Sequence, residues 1–136
     1  MCGIAGYFGK DLIEEKNIKD CCKLMRRRGP DAFGSFTKNG RISLVLLHSR
    51  LSIIDTSNKS NQPFCDKFDN ALSFNGEIYN YLELKNKLKQ KINFKTTGDT
   101  EVLFNLLKNN GIESINQCEG MWGVVYYDSK KKKNLF

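Results

Sequence analysis

Apolar residues recur along this chain with two spacings, and the alternation between them sets the expected elements. Residues 4 to 8 read as a short buried strand, and Ile18, Cys21, Cys22 and Met25 recur at helical spacing, which predicts an amphipathic helix over roughly 14 to 27. Gly29-Pro30-Asp31 ends it. A strand from Phe33 to Thr37 is expected to meet a second, Ile42 to Leu47, across Asn39-Gly40, a dipeptide that accepts the positive φ angles of a tight hairpin. The run Arg50 to Asp55 ("RLSIID") is expected to extend the sheet, and the polar "TSNKSNQP" after it reads as a loop. Asn70 to Asn75 reads as a strand stopping at Gly76, followed by a helix with Ile78, Tyr81, Leu84 and Leu88 on its inner face. "INFKT" is expected to be a further short strand. Asp99 then precedes a helix with an apolar stripe of Val102, Leu103, Leu106 and Leu107, with Gly111 as terminator, and "MWGVVYYD" reads as a strand.

Hairpins outnumber βαβ units in this order, which predicts an α+β fold of layered sandwich type. The chain ends at Leu135-Phe136, within what reads as the second strand of the last hairpin. A strand left there without neighbours would expose unpaired backbone groups, so the expectation is a domain incomplete at its C-terminus.

Composition narrows the picture only a little. The 136 residues suit one domain, 1–136, and 40% hydrophobic with 27% charged residues is ordinary for a folded chain. A net charge of +7 raises the question of an anionic partner. The excess is scattered, apart from Arg26-Arg27-Arg28 and Lys130 to Lys133, and the lysine run reads as a solvated hairpin turn rather than a nucleic-acid site. No stretch approaches the ~18 apolar residues of a membrane span, and the start lacks a signal-peptide pattern. Five cysteines without C-x-x-C spacing, beside a single histidine, His48, argue against a zinc site and for a cytoplasmic location where thiols stay reduced.

The start of the chain, "MCGIAGYFG", carries the candidate chemistry. Removal of Met1 ahead of a small residue leaves Cys2 with a free α-amine of pKa about 7.7–8.0 beside its own thiol, so nucleophile and base share one residue. His48 is the conventional alternative base, but its place inside "LVLLHSRL" predicts a packed strand histidine. Cys21, Cys22, Cys65 and Cys118 read as core or incidental residues.

The segments "MCGIAGYFG", "RRRGPDAFGSF", "LLHSRLSIIDTSNKSNQPF", "FNGEIYNYLEL", "TTGDTEVLFNLL" and "CEGMWGVVYYD" resemble, in order and spacing, the N-terminal glutaminase domain of glutamine-hydrolysing asparagine synthetases. The resemblance covers essentially the whole chain. It implies the four-layer α/β/β/α sandwich of N-terminal nucleophile hydrolases and hydrolysis of glutamine through a Cys2 thioester. It also implies substrate contacts at Arg50 (α-carboxylate), Asp99 (α-ammonium) and Glu77, and an oxyanion hole from the Asn75 side chain and the Gly76 N–H. Each has a plainer alternative: Arg50 a surface arginine at a strand end, Asp99 a helix N-cap, Glu77 a first-turn charge, Asn75-Gly76 a simple turn.

In such proteins a second domain binds ATP through a Ser-Gly-Gly-rich loop and activates aspartate; this sequence has no such loop. The expected partners are therefore glutamine and a synthetase domain or subunit that accepts ammonia, with ATP and magnesium belonging to that domain, no cofactor or metal in this segment, no nucleic acid or membrane, and room for a homodimer. Relatives that amidate sugars or close β-lactam rings stand as alternatives for the acceptor. A different class of reading is a non-catalytic remnant that binds glutamine or a partner without turnover.

Overall fold

The computed structural model describes residues 2–131 and the backbone of 133–135. Strand β1 (Gly3–Gly9), helix α1 (Glu15–Met25), β2 (Ala32–Lys38) and β3 (Ser43–Arg50) come first; β4 (Phe64–Cys65), β5 (Ala71–Ile78), helices α2 (Tyr81–Leu88) and α3 (Asp99–Asn110), β6 (Gly120–Asp128) and β7 (Lys133–Leu135) follow. The strands form two antiparallel sheets, ordered β1-β3-β2 and β4-β5-β6-β7. This is an α+β architecture, as the hairpin-rich pattern predicts.

Every residue of β3 is buried, because it is the central strand of its sheet and both of its faces are covered. Leu44 and Leu46 pack with Ala71 of β5 and with Phe36, Val125 and Tyr127, so this core lies where the two sheets meet. Two hydrogen bonds cross the same boundary: Ser73 Oγ donates to the Leu47 carbonyl at 3.1 Å, and His48 Nε2 lies 3.1 Å from the Phe74 carbonyl. The alternate residues of β5, Leu72, Phe74 and Ile78, join the larger core with Leu84 of α2 and the α3 stripe Val102, Leu103, Leu106 and Leu107. Full burial of such side chains stabilises by roughly 1.5–3 kcal/mol each, so β5 is held from both faces. Gly111 ends α3 at φ 77°, a conformation that favours glycine. The basic run falls in the β6–β7 hairpin, where Asp128 Oδ1 accepts the Lys130 and Lys131 N–H groups; Lys132 lies outside the described residues.

Three expectations are corrected. Arg50 to Asp55 does not extend the sheet: β3 ends at Arg50, and the Leu51 and Ser52 N–H groups turn to Cys2 Sγ and Asp31 Oδ2 instead of a neighbouring strand. "INFKT" is not a strand. The buried Glu101 carboxylate takes the N–H groups of Lys95 and Thr96, and with them the ladder bonds a strand would need. The strand expected to stop at Gly76 runs on to Ile78, pairing Asn75 with Gly123, Gly76 with Trp122 and Glu77 with Met121. Asn75-Gly76 is therefore not a turn, and Ile78 lies at a strand end rather than on α2.

Candidate active site

The β1–β3 register decides where the second residue sits. Gly3 pairs with Ser49, so Cys2 falls beside the end of β3, and its sulfur rests against the Leu51 peptide, with the N–H pointing at Sγ at 3.3 Å and the carbonyl 3.7 Å away. The Arg28 guanidinium reaches the Cys2 carbonyl at 3.4 Å. Cys2 is thus fixed on one side by β3 and half-buried.

Arg50, the last residue of β3, is only 7% exposed, which sets aside the surface-arginine alternative. Its Nη1 donates to the Ser57 carbonyl and to Asn61 Oδ1, both at 2.9 Å, and its Nη2 donates to the Asp55 carbonyl. Among the described residues these take three of the five guanidinium N–H donors, and the two that remain match the number a bidentate carboxylate needs.

Asp99 is the first residue of α3, with Gly98 as N-cap, so it lies one position inside the helix rather than capping it. Its Oδ2 accepts the Ile78 N–H at 3.1 Å, which ties the start of α3 to the end of β5. Burial raises its pKa and nearby Glu77 adds to the rise, against the opposing N–H groups of Ile78, Asp99 and Thr100. A raised carboxyl at a helix start is a site that gains from an incoming cation.

These residues meet. Cys2, Arg50, Asn75, Gly76, Glu77 and Asp99 all line one cavity of about 210 Å³. That is smaller than the ~300–1,000 Å³ typical of drug-sized ligand sites and suits a small metabolite. Its lining combines the polar side chains of Arg50, Asn75, Glu77 and Asp99 with the apolar ones of Leu51, Ile53, Ile54 and Met121. Glu77 and Gly76 are exposed on the strand edge of the cavity and Asn75 is half-buried. The demand for glycine at position 76 has a source in the scaffold itself. A Cβ there would lie 2.3 Å from the Met121 carbonyl oxygen and 2.6 Å from Trp122 Cα, so the neighbouring strand already occupies that space.

His48 stands apart from the cavity, buried between the sheets. Burial drives its pKa down to about 4, with the Arg50 charge adding to the fall and the Phe74 carbonyl opposing it. At neutral pH the ring is uncharged, with its proton on Nε2 facing the Phe74 carbonyl. This is the packed strand histidine the pattern predicts.

The sequence pattern alone does not single out Asp55, Ser60, Gln62 and Thr100, which also line the cavity. Gln62 is buried; its Oε1 accepts the Phe74 N–H at 2.7 Å and its Nε2 reaches Thr100 Oγ1 at 3.4 Å. The Ser60 hydroxyl is buried at the same wall without a partner among the described residues. Both residues sit in "TSNKSNQP", where a run of polar residues reads as solvated loop and nothing marks which of them turn inward. The described residues hold no group of three or more His, Cys, Asp or Glu placed to bind a metal ion. No helix among them is long and apolar enough to cross a membrane.

Comparison with known proteins gives the family. The model of a glutamine amidotransferase domain family matches residues 1–136. A protein of Methanocaldococcus jannaschii named "Putative asparagine synthetase (glutamine-hydrolyzing) 2" is 38% identical over 96% of this chain and 28% of its own length. Asparagine synthetase B (glutamine-hydrolyzing) of Escherichia coli is 34% identical over 99% of this chain and 24% of its own. The chain therefore spans about a quarter of the length of the curated relatives it matches.

Proposed function

Because the chain belongs to the glutamine amidotransferase domain family, we propose that it releases ammonia from glutamine at the Cys2 cavity, for transfer to an acceptor activated by a synthetase domain. The convergence of Cys2, Arg50, Asn75, Gly76, Glu77 and Asp99 on one small cavity is the observation that carries this reading.

The two remaining Arg50 N–H donors take the α-carboxylate of glutamine and Asp99 takes its α-ammonium, with Glu77 at the same end. This leaves the side-chain carboxamide directed at Cys2. The Cys2 α-amine takes the thiol proton, becoming the α-ammonium, as the sulfur adds to the amide carbon. Negative charge grows on the carbonyl oxygen and is met by the Asn75 side chain and the Gly76 N–H, a type of stabilisation worth about 2.7–4 kcal/mol per donor in other enzymes. The tetrahedral adduct collapses: the C–N bond breaks, nitrogen leaves as ammonia with a proton relayed from the Cys2 α-ammonium, and a γ-glutamyl thioester remains. Water adds to the thioester, the C–S bond breaks, and glutamate and the free thiol are released. The two sheets with helices packed on them fit the four-layer sandwich of N-terminal nucleophile hydrolases, and that is the fold assigned with this function.

The favoured acceptor is aspartate, since the relatives are named as asparagine synthetases. ATP and magnesium would serve that amidation in the synthetase domain.

The test separates protein that begins at Cys2 from protein that retains Met1, using intact mass to assign each form, and measures glutamate formation by both. The form beginning at Cys2 is expected to hydrolyse glutamine and the form retaining Met1 to be inert. Equal activity of the two forms, or none in either while glutamine still binds, overturns the mechanism.

A further inference from the structure

We infer that Asp55 is a positioning residue that sets the distance between Arg50 and Asp99, and so tunes the cavity to an α-amino acid rather than to carboxamides in general. The inference rests on the function proposed above and adds to it the device that reads the backbone end of the substrate.

The two groups that would hold that end come from separate parts of the chain: Arg50 ends a strand of one sheet, and Asp99 begins a helix packed on the other. Asp55 touches the segments of both. Its carbonyl accepts from Arg50 Nη2, which fixes one edge of the guanidinium. Its carboxylate then reaches in two directions. Oδ1 accepts the Ser57 N–H at 2.8 Å, closing the loop whose Ser57 carbonyl also holds Arg50 Nη1. Oδ2 accepts the Thr97 N–H at 2.8 Å and the Thr97 hydroxyl at 3.0 Å, two residues before Asp99. The next residue, Gly98, lies so close that a Cβ added there would sit 3.6 Å from Asp55 Cβ.

Asp55 is 9% exposed. Burial alone would raise its pKa, but the Ser57 and Thr97 donors together outweigh that and hold it well below the usual carboxylate range, so it stays charged and its bonds stay charge-assisted. Ser57 and Thr97 are far apart in sequence and meet on one side chain. No other described side chain is shown bonding both to the Arg50 loop and to the segment leading into α3.

The experiment uses the whole chain and the variants Asp55→Asn and Thr97→Val. Cys2 is alkylated with iodoacetamide, a small carboxamide without an α-carboxylate or α-ammonium, and the Cys2 peptide is followed by mass spectrometry with and without glutamine; KM and kcat for glutamine are measured in parallel. Glutamine is expected to protect Cys2 in the parent chain. In Asp55→Asn the alkylation rate without glutamine should stay within twofold of the parent, protection should need at least tenfold more glutamine, and KM should rise by a similar factor while kcat changes less. Thr97→Val, which removes only the hydroxyl bond, should move the same readouts in the same direction by a smaller factor, and it carries the test if Asp55→Asn does not fold. Parent-like protection and KM in both variants overturn the inference while leaving the proposed function standing. A changed alkylation rate without glutamine overturns it as well, since Asp55 would then act on the whole site rather than on the backbone end. Absence of protection in the parent chain overturns the function and the inference together.

Discussion

His48 makes acid sensitivity a quantitative consequence of the way the two sheets are joined. Its ring is buried between β3 and β5, Nε2 faces the Phe74 carbonyl at 3.1 Å, and Nδ1 has no partner among the described residues. Protonation would place a charge between the sheets close to Arg50, and the folded-state pKa accordingly falls from 6.5 to about 4. Between those values the unfolded chain carries a proton that the folded chain refuses. The stability His48 contributes is therefore complete above pH 6.5 and is lost progressively as pH falls towards 4. At about 1.36 kcal/mol per pH unit the loss amounts to about 3 kcal/mol, a large share of the roughly 5–15 kcal/mol typical of a small domain. A glutamine side chain in its place could still donate to the Phe74 carbonyl but cannot titrate, so His48→Gln isolates the effect. Urea unfolding of both proteins, followed through the single tryptophan, Trp122, at a series of pH values from about 7.5 to 4 gives the comparison. Asp55, Asp66 and Asp99 titrate in both and cancel. The parent chain should lose about 3 kcal/mol more than the variant across that range. Parallel pH profiles for the two would refute the reasoning.

Other outcomes follow from the same geometry. Asn75→Ala should lower the rate of glutamine hydrolysis by about 100–1,000-fold with little change in KM, since the donor acts on charge that develops only in the transition state; steady-state kinetics decides it. Gly76→Ala should destabilise by roughly 1–3 kcal/mol in urea unfolding, because its methyl group would meet β6 backbone that is itself paired. The raised pKa of Asp99 means that an ammonium-bearing ligand, which needs the ionised form, should bind more weakly as pH falls, with the onset above the ordinary aspartate value of 3.8; calorimetric titration with glutamine across that range checks it. For folding the sign is opposite: the Asp99 contribution is present below pH 3.8 and lost as pH rises through the raised value, so in urea unfolding Asp99→Asn should cost less stability at neutral pH than at about pH 3.5.

The parts of the molecule legible in the sequence are those with strong periodicity. The α3 stripe and strands β2 and β3 lie close to where apolar spacing puts them, because burial of Leu44, Leu46, Val102 and Leu106 is what those elements contribute to the core; the tight Asn39-Gly40 turn expected between the two strands is instead a longer loop between Lys38 and Ser43, without positive φ at Asn39 or Gly40. The other failures share a cause. At Leu51–Ser52 and at Lys95–Thr97 the backbone N–H groups are claimed by side chains distant in sequence or several residues on, Cys2, Asp31, Glu101 and Asp55, and local propensity does not register such competition. Gly76 is misread for a related reason: glycine signals a turn when judged locally, whereas here β6 packs where a side chain would be. The site residues named from the resemblance come together in one cavity, but two neighbours that line it with them go unmarked: Asp55 ends a run that reads as strand, and Gln62 sits among polar residues that read as loop.

A covalent bond between Cys2 and the glutamyl group is the centre of the proposed mechanism, and it can be trapped. Chain beginning at Cys2 should be mixed with glutamine, quenched in acid within the first turnovers and digested. The expected product is a peptide starting at Cys2 that carries one γ-glutamyl group as a thioester, released by neutral hydroxylamine, with neither the adduct nor ammonia formed by Cys2→Ala. Ammonia released at the parent rate by Cys2→Ala, or turnover by the parent chain with the glutamyl group trapped on another residue, would contradict it.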